Sequence, residues 1–387
     1  MKILIVITKS EIGGAQVFAL NLARGLKEAG EEVVVAGGPG EYLPEELLKI
    51  GVTFYRFKNL KRGFNPLKNL AFVRELKSFV LEGGFNVVHL NSTNVLFGVW
   101  ALDALKKNKA ADFKIIFTVH GLSLVDGNHK ASVVFKNCFI KFFKTAFKKL
   151  DQIIFVSQLN FDYAKKSGLL SDRALLKAEM IYNGLYFSVD YFLDKMEARQ
   201  FLASKAVPFC YEPEALRKVF LYGSIGRLAY PKNYEFLIAA HKEIKKFVPE
   251  AKLLLIGEGP ERHKYEAMIE TYGIKDSVCM FGEMGDAARY MRAFDLFVLP
   301  SIFEGTSLSL IEARRAGVPI LASAVGGNGE VAGDDNCFSL NDAKTFVERA
   351  VDIAKKAMSG EIGLSPNFDS KFSAEEMLRR YLEIYRR

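Results

Sequence analysis

The chain's 387 residues exceed the usual size of one core, so two domains are expected, and a composition half hydrophobic and a quarter charged is ordinary for a globular protein. The N-terminus lacks a signal-peptide pattern, no uncharged apolar run reaches the ~18–20 residues needed to span a bilayer, and Cys138, Cys210, Cys279 and Cys337 have no metal or redox spacing, reading instead as buried free thiols in a reducing compartment. The net charge of +8 is uneven: residues 51–150 hold 17 Lys and Arg against 5 Asp and Glu, an excess of +12 that implies an anionic partner.

Lys2–Thr8 reads as a buried parallel strand, followed by a loop containing Gly13-Gly14 and a helix from Ala15 to about Ala29. Gly14 suits either a tight strand-to-helix turn or a close approach of backbone to a ligand. The alternation continues with strands at Glu32–Ala36, Val52–Phe57, Asn86–Leu90 and Lys114–Val119, and helices at Leu43–Ile50, Leu67–Leu81 and Val95–Leu105. Such alternation predicts a doubly wound parallel sheet, whose ligands bind at the carboxyl ends of strands. His120 directly follows Val119 at that edge, where a histidine is either structural or functional.

Val133–Leu150 interleaves Lys136, Lys141, Lys144 and Lys148 with Phe135, Phe139, Ile140, Phe142, Phe143 and Phe147, which supply most of its apolar mass. Basic amphipathic helices rich in aromatics lie in membrane interfaces, and this one is expected to meet an anionic membrane surface. The other reading is a sheet-packing helix whose lysines snorkel to solvent. A strand at Gln152–Val156 follows, and residues 185–216, with Pro208 and Pro213, read as an interdomain connection.

A second α/β run predicts strands at Val219–Ile225, Lys252–Ile256, Val278–Phe281, Leu296–Leu299 and Pro319–Ser323. Helices are expected at Tyr234–Phe247, Glu261–Tyr272, Asp286–Ala293 and from about Ser307 to a stop at Gly317 and Pro319. Arg227 and Lys232 fall in the first loop of this run, at the same sheet edge as Glu304. A helix N-terminus at Thr306, Ser307 and Leu308 points free N–H groups at an anion, and two cations beside it make a diphosphate site. Glu312 lies roughly 8–9 Å along that helix, at ~1.5 Å per residue, between Leu308 and Ala316. Taken alone, Glu304 and Glu312 would be a capping acid and a buried, satisfied glutamate; taken with Arg227 and Lys232 they suit a nucleotide sugar, the diphosphate central and hydroxyls at either end.

The motifs Ile12-Gly13-Gly14-Ala15, Val87-Val88-His89-Leu90, Thr118-Val119-His120-Gly121, Ile181-Tyr182-Asn183-Gly184, Ile225-Gly226-Arg227-Leu228 with Lys232, Leu255 to Pro260, and Pro300-Ser301 through Glu312-Ala313 stand in one order along nearly the whole chain. In this the sequence resembles the retaining glycosyltransferases of family 4. It departs at Asn91, where the family often has a second histidine, and at Gly-Gly-Asn-Gly-Glu, where Glu330 is kept but the residues before it differ.

The resemblance implies a GT-B fold: two Rossmann-like doubly wound parallel-sheet domains facing a cleft. The expected division is an acceptor domain over 1–184, a connection over 185–216, a nucleotide-sugar domain over 217–368, and a helix over 369–387 that crosses back to the first domain. It implies transfer from a nucleotide sugar, a UDP-sugar by family habit, with retention at the anomeric carbon. No metal and no cofactor beyond the donor is expected. Arg227, Lys232 and the 306–308 helix N-terminus would stabilise the leaving diphosphate, Glu304 would hold sugar hydroxyls and Glu312 the ribose. Gly282, Glu283 and Met284 would line the base, His120 would bond the donor sugar, and Gly14 would approach the diphosphate. A lipid-linked, polyprenyl-diphosphate glycan acceptor at the cytoplasmic face of the membrane is expected, with a soluble acceptor or a non-catalytic binding protein as alternatives. Nucleic acid is disfavoured as a partner, and the absent G-x-G-x-x-G disfavours a nicotinamide oxidoreductase.

Overall fold

The computed structural model describes residues 1–63, 65–122, 132–186, 191–205, 218–365 and 369–387. The chain forms two compact units, Met1–Tyr186 with Ser370–Arg387, and Phe187–Asp369.

The first unit is built on seven strands: β1 (Lys2–Ile7), β2 (Glu32–Gly37), β3 (Thr53–Arg56), β4 (Val87–Asn91), β5 (Lys114–Val119), β6 (Gln152–Phe155) and β7 (Ala178–Met180). They pair in parallel in the order β3-β2-β1-β4-β5-β6-β7. Strand side chains alternate faces, so Leu4 and Val6 join one core while Ile3, Ile5 and Ile7 join another. Helices Pro66–Gly83, Val99–Lys107 and Val133–Phe147 cover the first face, and Gly14–Glu28, Tyr42–Lys49 and Ala374–Arg386 cover the second. A sheet buried on both faces needs continuous apolar strands, which is what the sequence supplies.

The C-terminal helix Ala374–Arg386 is bound to this unit by specific polar contacts. Ser373 caps it, its hydroxyl accepting from Glu376 N at 3.1 Å. Tyr381 OH lies 2.9 Å from Thr118 Oγ1, and Tyr385 OH lies 2.7 Å from His89 Nδ1, all four residues buried. Arg386 pairs with Glu31 at 2.9 Å and Arg380 with Glu179 at 3.3 Å.

The Val133–Phe147 helix packs on the sheet, the second of the two readings its sequence allows. Phe139, Phe143 and Phe147, four residues apart, are buried in the sheet-facing core, and Phe142 packs on Phe97 at 4.8 Å and Trp100 at 5.4 Å. Lys141, Lys144 and Lys148 are exposed, Lys136 is half-buried, and Lys149 pairs with Asp103 at 2.9 Å. The apolar residues left at its surface are Val133 and Val134 at the first turn. Aromatic spacing of four satisfies a buried face as well as a membrane face, and the sheet takes it.

The second unit has six strands: β8 (Phe220–Ile225), β9 (Ala251–Ile256), β10 (Val278–Gly282), β11 (Leu296–Leu299), β12 (Ile320–Ser323) and β13 (Cys337–Phe338). Their order is β10-β9-β8-β11-β12-β13, all parallel. The helix expected at Asp286–Ala293 is a 3-10 helix over Ala287–Ala293.

The described residues of 185–216, read from sequence as the interdomain connection, hold regular structure. They include the helix Lys195–Lys205, whose Arg199 is buried against Asp295: Nη2 donates to Oδ2 at 2.5 Å and Nε to the Ala293 carbonyl at 2.8 Å. Lys195 Nζ meets the other Asp295 oxygen at 2.5 Å, and Leu221 N–H donates to Oδ2 at 2.7 Å. One carboxylate thus fastens this helix to the start of β11 and to β8. The cysteines also differ from expectation, since Cys138 is exposed, Cys337 is half-buried and only Cys279 of the described three is buried; Cys210 lies outside the described residues.

Candidate functional site

In an open parallel sheet, the strand order reverses at one point, and the loops leaving the two strands there diverge to leave a crevice. In the second unit that point lies between β8 and β11. The loop after β8 carries Arg227 and Lys232, and the loop after β11 carries Ser301 and Glu304. Topology therefore brings together residues such as Lys232 and Glu304, 72 positions apart.

Lys232 Nζ donates to Glu304 Oε1 at 2.7 Å, and Ser301 Oγ donates to the same oxygen at 2.7 Å. Both side chains of the ion pair are mostly buried, at 21% and 15% exposure. Burial works against the lysine's charge, but the Glu304 carboxylate, helped by Tyr234 and Glu312, outweighs it and raises the ammonium pKa. Lys232 is therefore a fixed cation. Arg227 is exposed and makes no ion pair among the described residues.

The loops that hold this pair are themselves tied. Asn233 adopts a left-handed conformation, φ 57°, and its amide donates to the Pro300 carbonyl at 3.1 Å, linking the two loops. Ser323 Oγ donates to the Ser301 carbonyl at 2.6 Å. Gly326, φ 51°, lets the loop after β12 lie against Glu304, where an added Cβ would strike the Glu304 carbonyl oxygen.

The helix Leu308–Ala316 begins directly after this loop. Its N-cap, Ser307, makes no side-chain capping bond, and the Ser307 hydroxyl instead meets Ser309 Oγ at 3.0 Å. The Ser307 side chain thus does not cap the first turn, whose N–H groups carry the positive end of the helix dipole. Thr306 and Ser307 are buried beside them. Glu312 lies in the second turn. Its surroundings push its carboxyl up to about 7, burial being the main cause and Lys232 the opposing one. Gly282, Glu283 and Met284 stand at the end of β10, on the same sheet edge but two strands from the reversal point, and Gly282's carbonyl already accepts from Gly257 N–H at 2.8 Å.

In the first unit, the strand order reverses between β1 and β4. Gly14 opens the helix after β1, and His120 follows β5. Burial lowers the His120 pKa to about 4, so the imidazole is neutral at physiological pH. Phe18 packs edge-on against it, with ring centroids 4.7 Å apart. Asn91, which the sequence marks as a departure from the family, finds its partner here, and Ser92, which the sequence did not single out, lies next to it. Asn91, fully buried at the end of β4, bonds His120, Oδ1 to Nε2, at 3.1 Å. Ser92 sits at φ 99° and its hydroxyl bridges to Thr8 Oγ1 at 2.5 Å. A positive φ at a non-glycine residue costs about 1–3 kcal/mol and tends to cluster at functional sites.

Residues 12–185 match the family model described as Glycosyltransferase Family 4, and residues 213–362 match the one described as Glycosyl transferases group 1. The chain is 25% identical to the 2-deoxystreptamine N-acetyl-D-glucosaminyltransferase of Niallia circulans, covering 97% of both chains. Over a shorter stretch, 35% of this chain and 37% of the other, it is 28% identical to the UDP-Gal:alpha-D-GlcNAc-diphosphoundecaprenol alpha-1,3-galactosyltransferase of Escherichia coli. Among solved structures, HepE of Anabaena in complex with UDP and glucose matches with a TM-score of 0.73 over 99% of both chains at 17% identity, which speaks to the fold. With two family models in this order over most of the chain, and two sheets each reversing strand order where the motif residues gather, the chain belongs to glycosyltransferase family 4 and has the GT-B fold.

Proposed function

We propose that the protein is a retaining, metal-independent glycosyltransferase that moves a hexosyl or N-acetylhexosaminyl group from a UDP-sugar to a lipid-linked, polyprenyl-diphosphate glycan at the inner face of the cell membrane. The observation that carries the donor half is the Lys232–Glu304–Ser301 cluster beside Arg227 at the strand-order reversal. Breaking the bond to the sugar leaves new negative charge on a nucleoside diphosphate. Lys232, Arg227 and the helix N-terminus at Thr306–Leu308 are the groups that would stabilise it. Glu304 would accept from hydroxyls of the transferred sugar, and Glu312 from the ribose hydroxyls. His120 would bond the sugar, Gly282–Met284 would line the base, and Gly14 would let backbone approach the diphosphate.

The acceptor half rests on the exposed Lys141, Lys144 and Lys148 and on the +12 excess of residues 51–150. The Escherichia coli relative's name carries both a UDP-sugar and a diphosphoundecaprenol acceptor, which supports the same pairing. No helix of the described residues is long and apolar enough to cross a membrane, so the association would be peripheral. One observation favours the second reading, a soluble acceptor: the phenylalanines of Val133–Phe147 face the core. The Niallia relative, named for a 2-deoxystreptamine acceptor, agrees with that reading. A screen of nucleotide sugars for nucleotide release, with and without extracted membrane lipids and with soluble sugars, tests the proposal. Release that requires the lipid fraction supports it; release driven by soluble acceptors alone moves the second reading forward.

A further inference from the structure

Among the described residues the first unit holds two histidines on neighbouring strands, His89 within β4 and His120 just after β5, and their hydrogen bonds give them different parts. His89 is fully buried and engaged on both ring nitrogens, Nε2 with Thr118 Oγ1 at 2.7 Å and Nδ1 with Tyr385 OH at 2.7 Å. It is occupied by the fold. His120 is engaged on one nitrogen, Nε2, by Asn91, and Nδ1 meets no hydrogen-bond partner among the described residues.

The direction of the Asn91–His120 bond follows from a backbone carbonyl. Asn91 Nδ2 lies 3.3 Å from the carbonyl oxygen of His89. A carbonyl oxygen only accepts, so the amide must turn its NH₂ end that way. Its oxygen is then the atom that faces His120, and an amide oxygen also only accepts. His120 Nε2 must therefore carry the hydrogen. A neutral imidazole carries one, so Nδ1 is left with its lone pair. Burial of the ring keeps it neutral. The edge-on Phe18 ring leaves little freedom for the imidazole to flip.

We infer that Asn91 is a positioning residue that locks His120 as the Nε2–H tautomer, so that His120 offers the substrate a hydrogen-bond acceptor, Nδ1, and reads a sugar hydroxyl rather than a phosphate. A phosphate oxygen at pH 7 accepts and does not donate, so it finds no partner in an Nδ1 lone pair; a sugar hydroxyl donates to it. This rests on the glycosyl-transfer reading above for the identity of the substrate, and on the Asn91 geometry alone for the tautomer.

The tautomer is measured without donor or acceptor, by nitrogen-15 NMR of the full chain labelled at histidine, with His120→Gln assigning the signal. His120 should show a protonated Nε2 and an unprotonated Nδ1 at pH 7.5. An Nδ1–H tautomer, or an average of the two, overturns the inference whatever the transferase assays show. In Asn91→Ala, the His120 signals should move toward a tautomer average, kcat/KM for the sugar donor should fall about tenfold, the scale of one lost hydrogen bond, and affinity for UDP alone should not change. Should Asn91→Ala not fold, the wild-type spectrum still decides. An unchanged His120 spectrum in a folded Asn91→Ala, or a parallel fall in UDP affinity, would show that Asn91 serves the fold and not the histidine.

Discussion

Lys232 Nζ and Glu304 Oε1 stand 2.7 Å apart although the two residues are 72 positions apart in sequence. Each loop follows a different strand, and the strand order alone brings them together at β8 and β11. A pair this enclosed holds its charges ready in place, and a bound diphosphate with its sugar would meet the cation and the carboxylate side by side.

Removing either partner should therefore cost transfer far more than binding. In Lys232→Ala or Glu304→Ala, turnover is expected to fall by about 10²–10³, the loss of about 2.7–4 kcal/mol typical of one fixed partner of a developing charge. Circular dichroism should show a native fold. Near wild-type turnover in either folded variant would remove the pair from the mechanism.

Glu312 gives a pH dependence with a definite sign. Its carboxyl titrates near 7 in the fold against an ordinary value of 4.5, raised by burial. The folded state thus binds the extra proton between those values, and stability should fall as pH rises from about 4.5 to 7 and level off above. If the ionised form accepts from ribose hydroxyls, UDP should bind about tenfold more tightly at pH 8 than at pH 6, with proton release on binding. Calorimetry in two buffers measures both, and Glu312→Gln should flatten the profile. A flat wild-type profile would contradict the ribose role.

Asp295 is the anchor of the Lys195–Lys205 helix. Asp295→Ala leaves the buried Arg199 guanidinium and Lys195 without their carboxylate. The expected loss is about 3–5 kcal/mol, as for breaking a buried ion pair on one side. Urea unfolding reads it, and a loss under about 1 kcal/mol would mean that Asp295 does not hold the helix.

The membrane contact should be electrostatic. Lys141, Lys144 and Lys148 are exposed, and each contributes about 1 kcal/mol near an anionic leaflet, while the phenylalanines beneath them are committed to the core. Binding to anionic liposomes should thus vanish at high salt and in the Lys141→Glu, Lys144→Glu, Lys148→Glu triple variant, with UDP affinity unchanged. Failure of the wild type to sediment with anionic liposomes at low salt would refute it.

The strands were legible because β1, β4, β5, β9 and β11 are apolar runs ended by glycine, proline or a polar residue, the pattern a sheet covered on both faces requires. The site was legible because strand order puts the first and fourth loops of a Rossmann sheet together. What escaped were features decided by tertiary contact. Val133–Phe147 looks the same from sequence whether its aromatics meet lipid or sheet. Lys195–Lys205 has a weak apolar stripe and is held by Arg199 and Asp295, a pair no local pattern shows. Ser92 and Asn91 have ordinary neighbours, and their parts emerge once β1, β4 and β5 are side by side. The Ala343–Ser359 helix could have been read: Asp342 caps it through Thr345 N at 3.0 Å, and Gly360 closes it at φ 80°.

The most direct test is nucleotide release from a panel of nucleotide sugars by the purified chain in EDTA, with extracted membrane lipids as the acceptor source, comparing wild type with Lys232→Ala. The account predicts UDP release from one UDP-sugar, undiminished by EDTA and reduced about 10²–10³ by the substitution. Turnover that needs added Mg²⁺ or Mn²⁺, or that survives in a folded Lys232→Ala, would contradict it.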